Sequence, residues 1–129
     1  NMAKRTHALN LAPPLPQTRG LRALGALALR QVRDAMAAYH GLDATAALEV
    51  RERDAELDVQ YTALFRELLT YMMEDAHSIT SCTHLLFMAK NLERIGDHAT
   101  NIAENTWFRI NGDMPLPLRE KRDATNTVA

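Results

Sequence analysis

The fold of this chain is decided by residues 85–104, whose sequence is LLFMAKNLERIGDHATNIAE. Apolar side chains recur there every three or four residues, at Leu85, Met88, Leu92, Ile95, Ala99 and Ile102. This spacing places them on one face of an α-helix. Ser78 or Thr80 is suited to begin that helix, and Asn111-Gly112 is suited to end it. The pattern therefore predicts a long amphipathic helix.

Two earlier segments show the same spacing and predict two more helices. The first helix is expected over residues 18–40, with Gly41 as its C-terminal cap. The second is expected over residues 44–74, with Asp43 capping its N-terminus. The apolar positions are Leu21, Leu24, Ala28, Val32, Ala35 and Tyr39 in the first helix and Ala47, Val50, Leu57, Tyr61, Leu64, Leu68 and Tyr71 in the second. Three amphipathic helices joined by short turns predict an all-α fold, an antiparallel three-helix bundle.

Segments that contain prolines and polar residues flank the predicted bundle on both sides. Three of the five prolines fall in residues 11–17, and a proline inside a helix costs about 3 kcal/mol or more. We therefore divide the chain into three parts. Residues 1–17 are the tail of a preceding helix plus a proline-rich linker, residues 18–112 are the bundle, and residues 113–129 are a flexible C-terminal tail.

The composition argues against several classes of protein. Lys plus Arg (15) nearly balance Asp plus Glu (16), so no overall basic field would draw the chain onto nucleic acid or anionic lipid. The single cysteine, Cys82, cannot form an internal disulfide and is expected in the core of a protein from a reducing compartment. No apolar run approaches the roughly 20 residues that span a bilayer. We predict a soluble protein without a nucleic-acid partner.

Carboxylates lie close to the apolar seams of the second and third helices. Asp54 projects within the apolar stripe of the second helix, and Asp58 projects at its edge one turn later. Glu93, Asp97 and Glu104 share a narrow strip beside the seam of the third helix. A buried carboxylate without partners costs several kcal/mol or more, so the pattern favours a bound cation. Oxygen ligands suit Mg²⁺, Ca²⁺ or Mn²⁺ and also bridge iron.

A plainer interpretation of the same charges remains open. Lys90 and Arg94 are placed to pair with carboxylates of the third helix, and Arg51 or Arg53 is placed to pair with Asp54. The acidic strip would then be a solvated face, and the protein a metal-free helical interaction module.

The other alternative is a carboxylate-bridged metalloenzyme of ferritin-like chemistry. Glu74-x-x-His77 matches the Glu-x-x-His element of di-iron bundles, but such bundles need two of these elements and the chain has one. Nucleophile elbows, phosphate-binding glycine loops and CxxC pairs are absent from the sequence, which favours a protein that is not an enzyme. Gly96 lies inside the predicted third helix, where glycine costs about 1 kcal/mol, and indicates close packing by a neighbouring helix.

Residues 89–104, AKNLERIGDHATNIAE, resemble the signature of the PhoU family, which reads approximately AxxLERIGDHAxNIAE. Residues 53–58 (RDAELD) and 64–72 (LFRELLTYM) are similar to the helix that precedes it in the family. PhoU proteins are built from two tandem three-helix repeats, and residues 18–112 resemble the C-terminal repeat. Residues 2–10 resemble the end of a first repeat, so we expect the chain to be a fragment of a two-repeat protein.

The resemblance also implies a metal site. Each PhoU repeat carries paired E(D)xxxD motifs that bind metal clusters in some members. The ligands that these motifs imply here are Asp54, Asp58, Glu93 and Asp97. Asn101 and Glu104 are implied as weaker candidates or as supporting groups around the ligands. The ions implied are iron, magnesium or manganese.

The function that the resemblance implies is regulatory. The intact protein would be a cytoplasmic negative regulator of the phosphate regulon, active when phosphate is plentiful and without catalytic activity. Its expected partners are the ATPase subunit of the phosphate-specific ABC transporter and a PhoR-type sensor histidine kinase. It would reach the inner membrane only through these partners, and we expect a homodimer.

Overall fold

The computed structural model describes residues 17–112, which form three long helices. These are α1 (Thr18–Gly41), α2 (Ala44–Glu74) and α3 (Ile79–Asn111), with a short 3₁₀ turn (Ala76–Ser78) before α3. The part of the chain that the structure describes contains helices and turns and no strand. The predicted all-α bundle is confirmed. The expected linker and tails cover residues 1–17 and 113–129, and of these only Gln17, which directly precedes α1, is among the described residues.

The turn between α1 and α2 differs by one residue from the prediction. Gly41 is the last helical residue, and Leu42 takes the left-handed conformation with φ 48°. The amides of Leu42 and Asp43 donate to the carbonyls of Tyr39 and Ala38 at 3.3 and 3.0 Å. These two bonds form the pairing that ends many helices, in which the left-handed residue is usually glycine. The predicted cap at Gly41 is therefore wrong, since Leu42 occupies that position.

The start of α2 and both ends of α3 lie where the sequence predicts them. The Asp43 carboxylate accepts a hydrogen bond from the Ala46 amide at 3.0 Å and begins α2. Ser78 immediately precedes α3, but its side chain makes no capping bond to α3, and its hydroxyl instead donates to the Asp75 carbonyl at 2.7 Å. At the end of α3, Gly112 has φ +66°, which confirms the predicted stop signal.

The core divides into two clusters along the bundle. The larger cluster contains leucines from all three helices together with Tyr61 and Cys82, which is buried as expected. The smaller cluster consists mainly of alanines, at Ala35, Ala38, Ala47, Ala99 and Ala103 with Val50. Small side chains allow the helices to approach closely near the α1–α2 turn. Two predicted core residues, Tyr39 and Ile95, are instead exposed on the surface.

None of the helices formed by residues 17–112 combines the length and the apolar character that a membrane crossing requires.

Candidate metal centre

Three aspartates from α2 and α3 come together at one place in the bundle. Asp54 and Asp58 project from α2 and Asp97 from α3, and one carboxylate oxygen of each lies within 4.8 Å of the other two. Asp54 and Asp58 are 0% and 1% exposed, and Asp97 is half-buried. Metal–oxygen distances of about 2.0–2.6 Å allow oxygens so spaced to bind one ion. Among residues 17–112 this is the one group of three or more Asp, Glu, His or Cys side chains suited to hold an ion.

Gly96 explains how the aspartates of the two helices come so close. A Cβ atom at Gly96 would lie 2.5 Å from Cδ2 of Leu57 and 3.5 Å from Oδ1 of Asp54. The missing side chain lets the α3 backbone approach α2 next to Asp54. The prediction that a neighbouring helix packs closely at Gly96 is confirmed.

The donor atoms and the packing at the cluster of Asp54, Asp58 and Asp97 fit a hard cation. The three side chains offer only carboxylate oxygens, which are the donors that magnesium, calcium and manganese prefer and which also bind iron. The close packing of α3 against α2 at Gly96 also accompanies the approach of Asp97 to Asp54 and Asp58. The residues present are therefore chemically suited to the kind of ion that the sequence predicts.

Glu93, the fourth predicted ligand, lies outside the group of three aspartates. Its side chain is 2% exposed, and its Oε2 lies 3.3 Å from Nζ of Lys90 one turn earlier on α3. The same ammonium lies 5.4 Å from the centre of the Tyr61 ring on α2. The structure thus brings three of the four predicted ligands together and places Glu93 in an ion pair beside them.

A second ion pair joins α2 to α3. Nε of Arg51 lies 3.3 Å from Oε2 of Glu104, and Arg51 is 8% exposed. Arg53, the other arginine expected near Asp54, pairs with Asp34 of α1 at 2.7 Å. Glu104 is therefore engaged by an arginine, and Asn101, the other weaker candidate, is exposed.

Sequence reasoning missed one buried polar residue near this site. Gln31 of α1 is 3% exposed, and its Nε2 donates a hydrogen bond of 2.7 Å to the carbonyl of Val50, one turn before Asp54. The signal was present in the spacing, because Gln31 is three residues after Ala28 and four before Ala35. This spacing places it on the apolar face of α1.

The Glu-x-x-His element lies far from the aspartates. Glu74 and His77 are both exposed. Glu74 comes sixteen positions after Asp58 in α2, which is about 24 Å along a helix. The two groups do not form a common centre, and the geometry does not favour the ferritin-like alternative.

Comparison with known proteins identifies the family. The PhoU domain family matches residues 21–106, which cover most of all three helices. The chain is 65% identical over 128 residues to the phosphate-specific transport system accessory protein PhoU homolog of Xylella fastidiosa (strain 9a5c), covering 99% of this chain and 54% of that protein. It is 51% identical over 129 residues to the protein of the same name from Rhizobium meliloti, with 99% and 54% covered.

A more distant relative of the same name, from Pseudomonas aeruginosa, is 39% identical over 92 residues, or 71% of this chain and 38% of that protein. No solved structure matches the chain significantly. The chain spans about half the length of the Xylella and Rhizobium relatives. The family match across the bundle and the high identity along nearly the whole sequence establish that this chain belongs to the PhoU family.

Proposed function

We propose that the intact protein is a negative regulator of phosphate uptake and of the phosphate regulon. The observation that carries this proposal is the 65% identity to a protein named for the phosphate-specific transport system, as an accessory protein. The mode of action is contact with other proteins and not turnover of a substrate.

The experiment is a deletion in the source bacterium followed by restoration of the intact gene. Alkaline phosphatase activity in phosphate-rich medium is the readout of the phosphate regulon. We expect high activity after deletion and low activity after restoration. Low activity in the deletion strain would contradict the proposal and would leave the family likeness as shared architecture.

The partners in this proposal are the ATPase subunit of the phosphate-specific ABC transporter and a PhoR-type sensor histidine kinase. The protein is a cytoplasmic homodimer that reaches the inner membrane only through them. The name of the Xylella relative supports association with the transport system. The purified ATPase subunit and the cytoplasmic part of the kinase are each tested for binding to the intact regulator by calorimetry. Binding to neither would contradict the assignment of partners, and a monomeric mass in light scattering would contradict the dimer.

We also propose that the regulator binds a hard cation, with iron, magnesium and manganese as the candidate ions. Asp54, Asp58 and Asp97 form the centre of the ligand set, with Glu93 as the fourth ligand. A bound ion would supply positive charge, and carboxylates from both α2 and α3 would bind that one ion. These carboxylates then hold the two helices at one spacing and define the surface that the partner meets.

The test of the metal proposal replaces ligands and follows two properties at once. We expect Glu93→Ala together with Asp97→Ala to remove the metal and to weaken partner binding. Glu56→Gln, an exposed carboxylate on α2, is the control and should change neither. Unchanged metal content and unchanged partner affinity in the double variant would refute the proposal.

A further inference from the structure

Lys90 lies next to the candidate metal centre, and the proposed function gives it no role. Its Nζ is 3.3 Å from the carboxylate of Glu93 and 5.4 Å from the centre of the Tyr61 ring. Glu93 and Tyr61 are each 2% exposed, whereas the Lys90 side chain is 31% exposed. The charged end of Lys90 therefore faces two buried groups while part of the side chain remains in contact with solvent.

The ammonium group satisfies a carboxylate that is costly to bury alone. An ionised carboxylate removed from water loses several kcal/mol of solvation unless a cation or hydrogen-bond donors replace the water. Lys90 supplies such a cation to Glu93 within its own helix. The exposed part of its flexible stem leaves a path by which the ammonium moves outward into water.

An ion on the three aspartates would need further ligands, and Glu93 is placed to be one of them. Six or more oxygens surround magnesium and calcium in proteins, so three side chains do not complete the set unless they bind through both oxygens. Glu93 is one turn before Asp97 on the same face of α3. A metal ion and the Lys90 ammonium on the same carboxylate would repel each other strongly in this buried place.

We propose that Lys90 competes with the metal ion for Glu93 and thereby sets the affinity of the centre. This inference rests on the metal binding that forms part of the proposed function. Without the ion, the Lys90 ammonium neutralises Glu93. When the ion binds, the Glu93 carboxylate turns toward it, and Lys90 leaves Glu93 and Tyr61 for solvent. Lys90 is a positioning residue, since it acts on the ion through Glu93.

Mn²⁺ binding to the 129-residue chain, measured by titration calorimetry, tests the competition. We expect Lys90→Met, which keeps an apolar stem beside Tyr61 and removes the charge, to lower the Kd for Mn²⁺ about tenfold, equivalent to about 1.4 kcal/mol. Lys90→Arg should bind Mn²⁺ as weakly as the native chain. Arg94→Met, which removes an exposed charge four residues later on α3, should change the Kd less than twofold.

A double variant separates competition from a general change in charge. Glu93→Gln should bind Mn²⁺ more weakly than the native chain, and adding Lys90→Met to it should change the Kd less than twofold. An equal gain from Lys90→Met with and without Glu93 would overturn the proposal, as would a gain no larger than that from Arg94→Met. If neither the native chain nor any variant binds Mn²⁺, the metal proposal itself fails, and this inference fails with it.

A structure of the native chain with Mn²⁺ tests the same inference without any substitution. We expect a Glu93 oxygen within coordination distance of the ion and the Lys90 ammonium more than about 4 Å from Glu93, beyond the range of an ion pair. Mn²⁺ on the aspartates with the Lys90–Glu93 pair intact would overturn it.

Discussion

A Cβ atom at Gly96 of α3 would lie 2.5 Å from Cδ2 of Leu57 of α2, closer than carbon atoms approach without displacement. The two helices therefore pack with the α3 backbone against a leucine side chain. Oδ1 of Asp54 lies 3.5 Å from the same position, so the packing of the core and the geometry of the candidate metal centre depend on one residue.

Gly96→Ala should destabilise the protein although alanine is the better helix former. The added methyl group forces α3 away from Leu57, and overpacking of this kind costs about 1–3 kcal/mol. Urea denaturation measures the loss in the free energy of unfolding. The matched control is Gly25→Ala in α1, where the new Cβ would lie 3.8 Å from Leu92, an ordinary contact. That variant should be unchanged or more stable by up to about 1 kcal/mol. Equal stabilisation by both substitutions would mean that the Gly96 contact does not restrain the helices.

Gln31 should tolerate an apolar substitution and reject a charged one. Its Nε2 bonds the Val50 carbonyl, while its buried Oε1 has no hydrogen-bond partner within residues 17–112. Gln31→Leu removes both polar atoms and should change stability by less than about 1 kcal/mol. Gln31→Glu removes the donor and buries a charge, and should cost about 2 kcal/mol or more. Chemical denaturation at neutral pH compares the two variants, and similar losses for both would show that the environment of Gln31 is open to water.

Leu42→Gly should stabilise the chain. Leu42 has φ 48°, a conformation that costs residues with a side chain about 1–2 kcal/mol and glycine little. The leucine side chain is 50% exposed, so its removal loses little buried apolar surface. We expect a gain of about 1 kcal/mol in the free energy of unfolding, measured by thermal or urea denaturation. A loss of stability would indicate that the Leu42 side chain makes a contact worth more than the backbone strain.

The helix ends could be predicted because their signals are local. The Asp43 side chain caps α2 by accepting a hydrogen bond from the amide of Ala46, three residues later in the sequence. Gly112 ends α3. The left-handed residue at the α1–α2 turn could not be predicted from composition. Glycine is the usual residue in the left-handed conformation, so Gly41 was expected to adopt it. Leu42 adopts it instead, and the amides of Leu42 and Asp43 donate to the carbonyls of Tyr39 and Ala38.

Which edge of an apolar stripe is buried depends on contacts between helices. Ile95 follows the helical spacing of the core residues around it, yet it is 38% exposed and Gly96 faces α2 in its place. Met73, an apolar residue near the end of α2, is 87% exposed. Periodicity locates a face of a helix, but the width of the contact with its neighbours decides the residues at the border.

The carboxylate pairs on α2 and α3 were visible in the sequence because their members are four residues apart. The partners of these charges were only partly predictable. Lys90 and Glu93 are neighbours on one helix, and their pairing was among those expected. Arg51 pairs with Glu104 across 53 positions of the chain, and this contact depends on the register between α2 and α3. Spacing within one helix contains no information about that register.

The central claim is that carboxylates of α2 and α3 hold one cation between them, and thermal unfolding with and without Mn²⁺ tests it most directly. A ligand that binds only the folded state raises its stability in proportion to the logarithm of ligand concentration. We predict that excess Mn²⁺ raises the Tm of the native chain and of the control Glu56→Gln by several degrees, and that Asp58→Asn abolishes the shift. An unchanged Tm in the native chain, or an equal shift in Asp58→Asn, would contradict the claim.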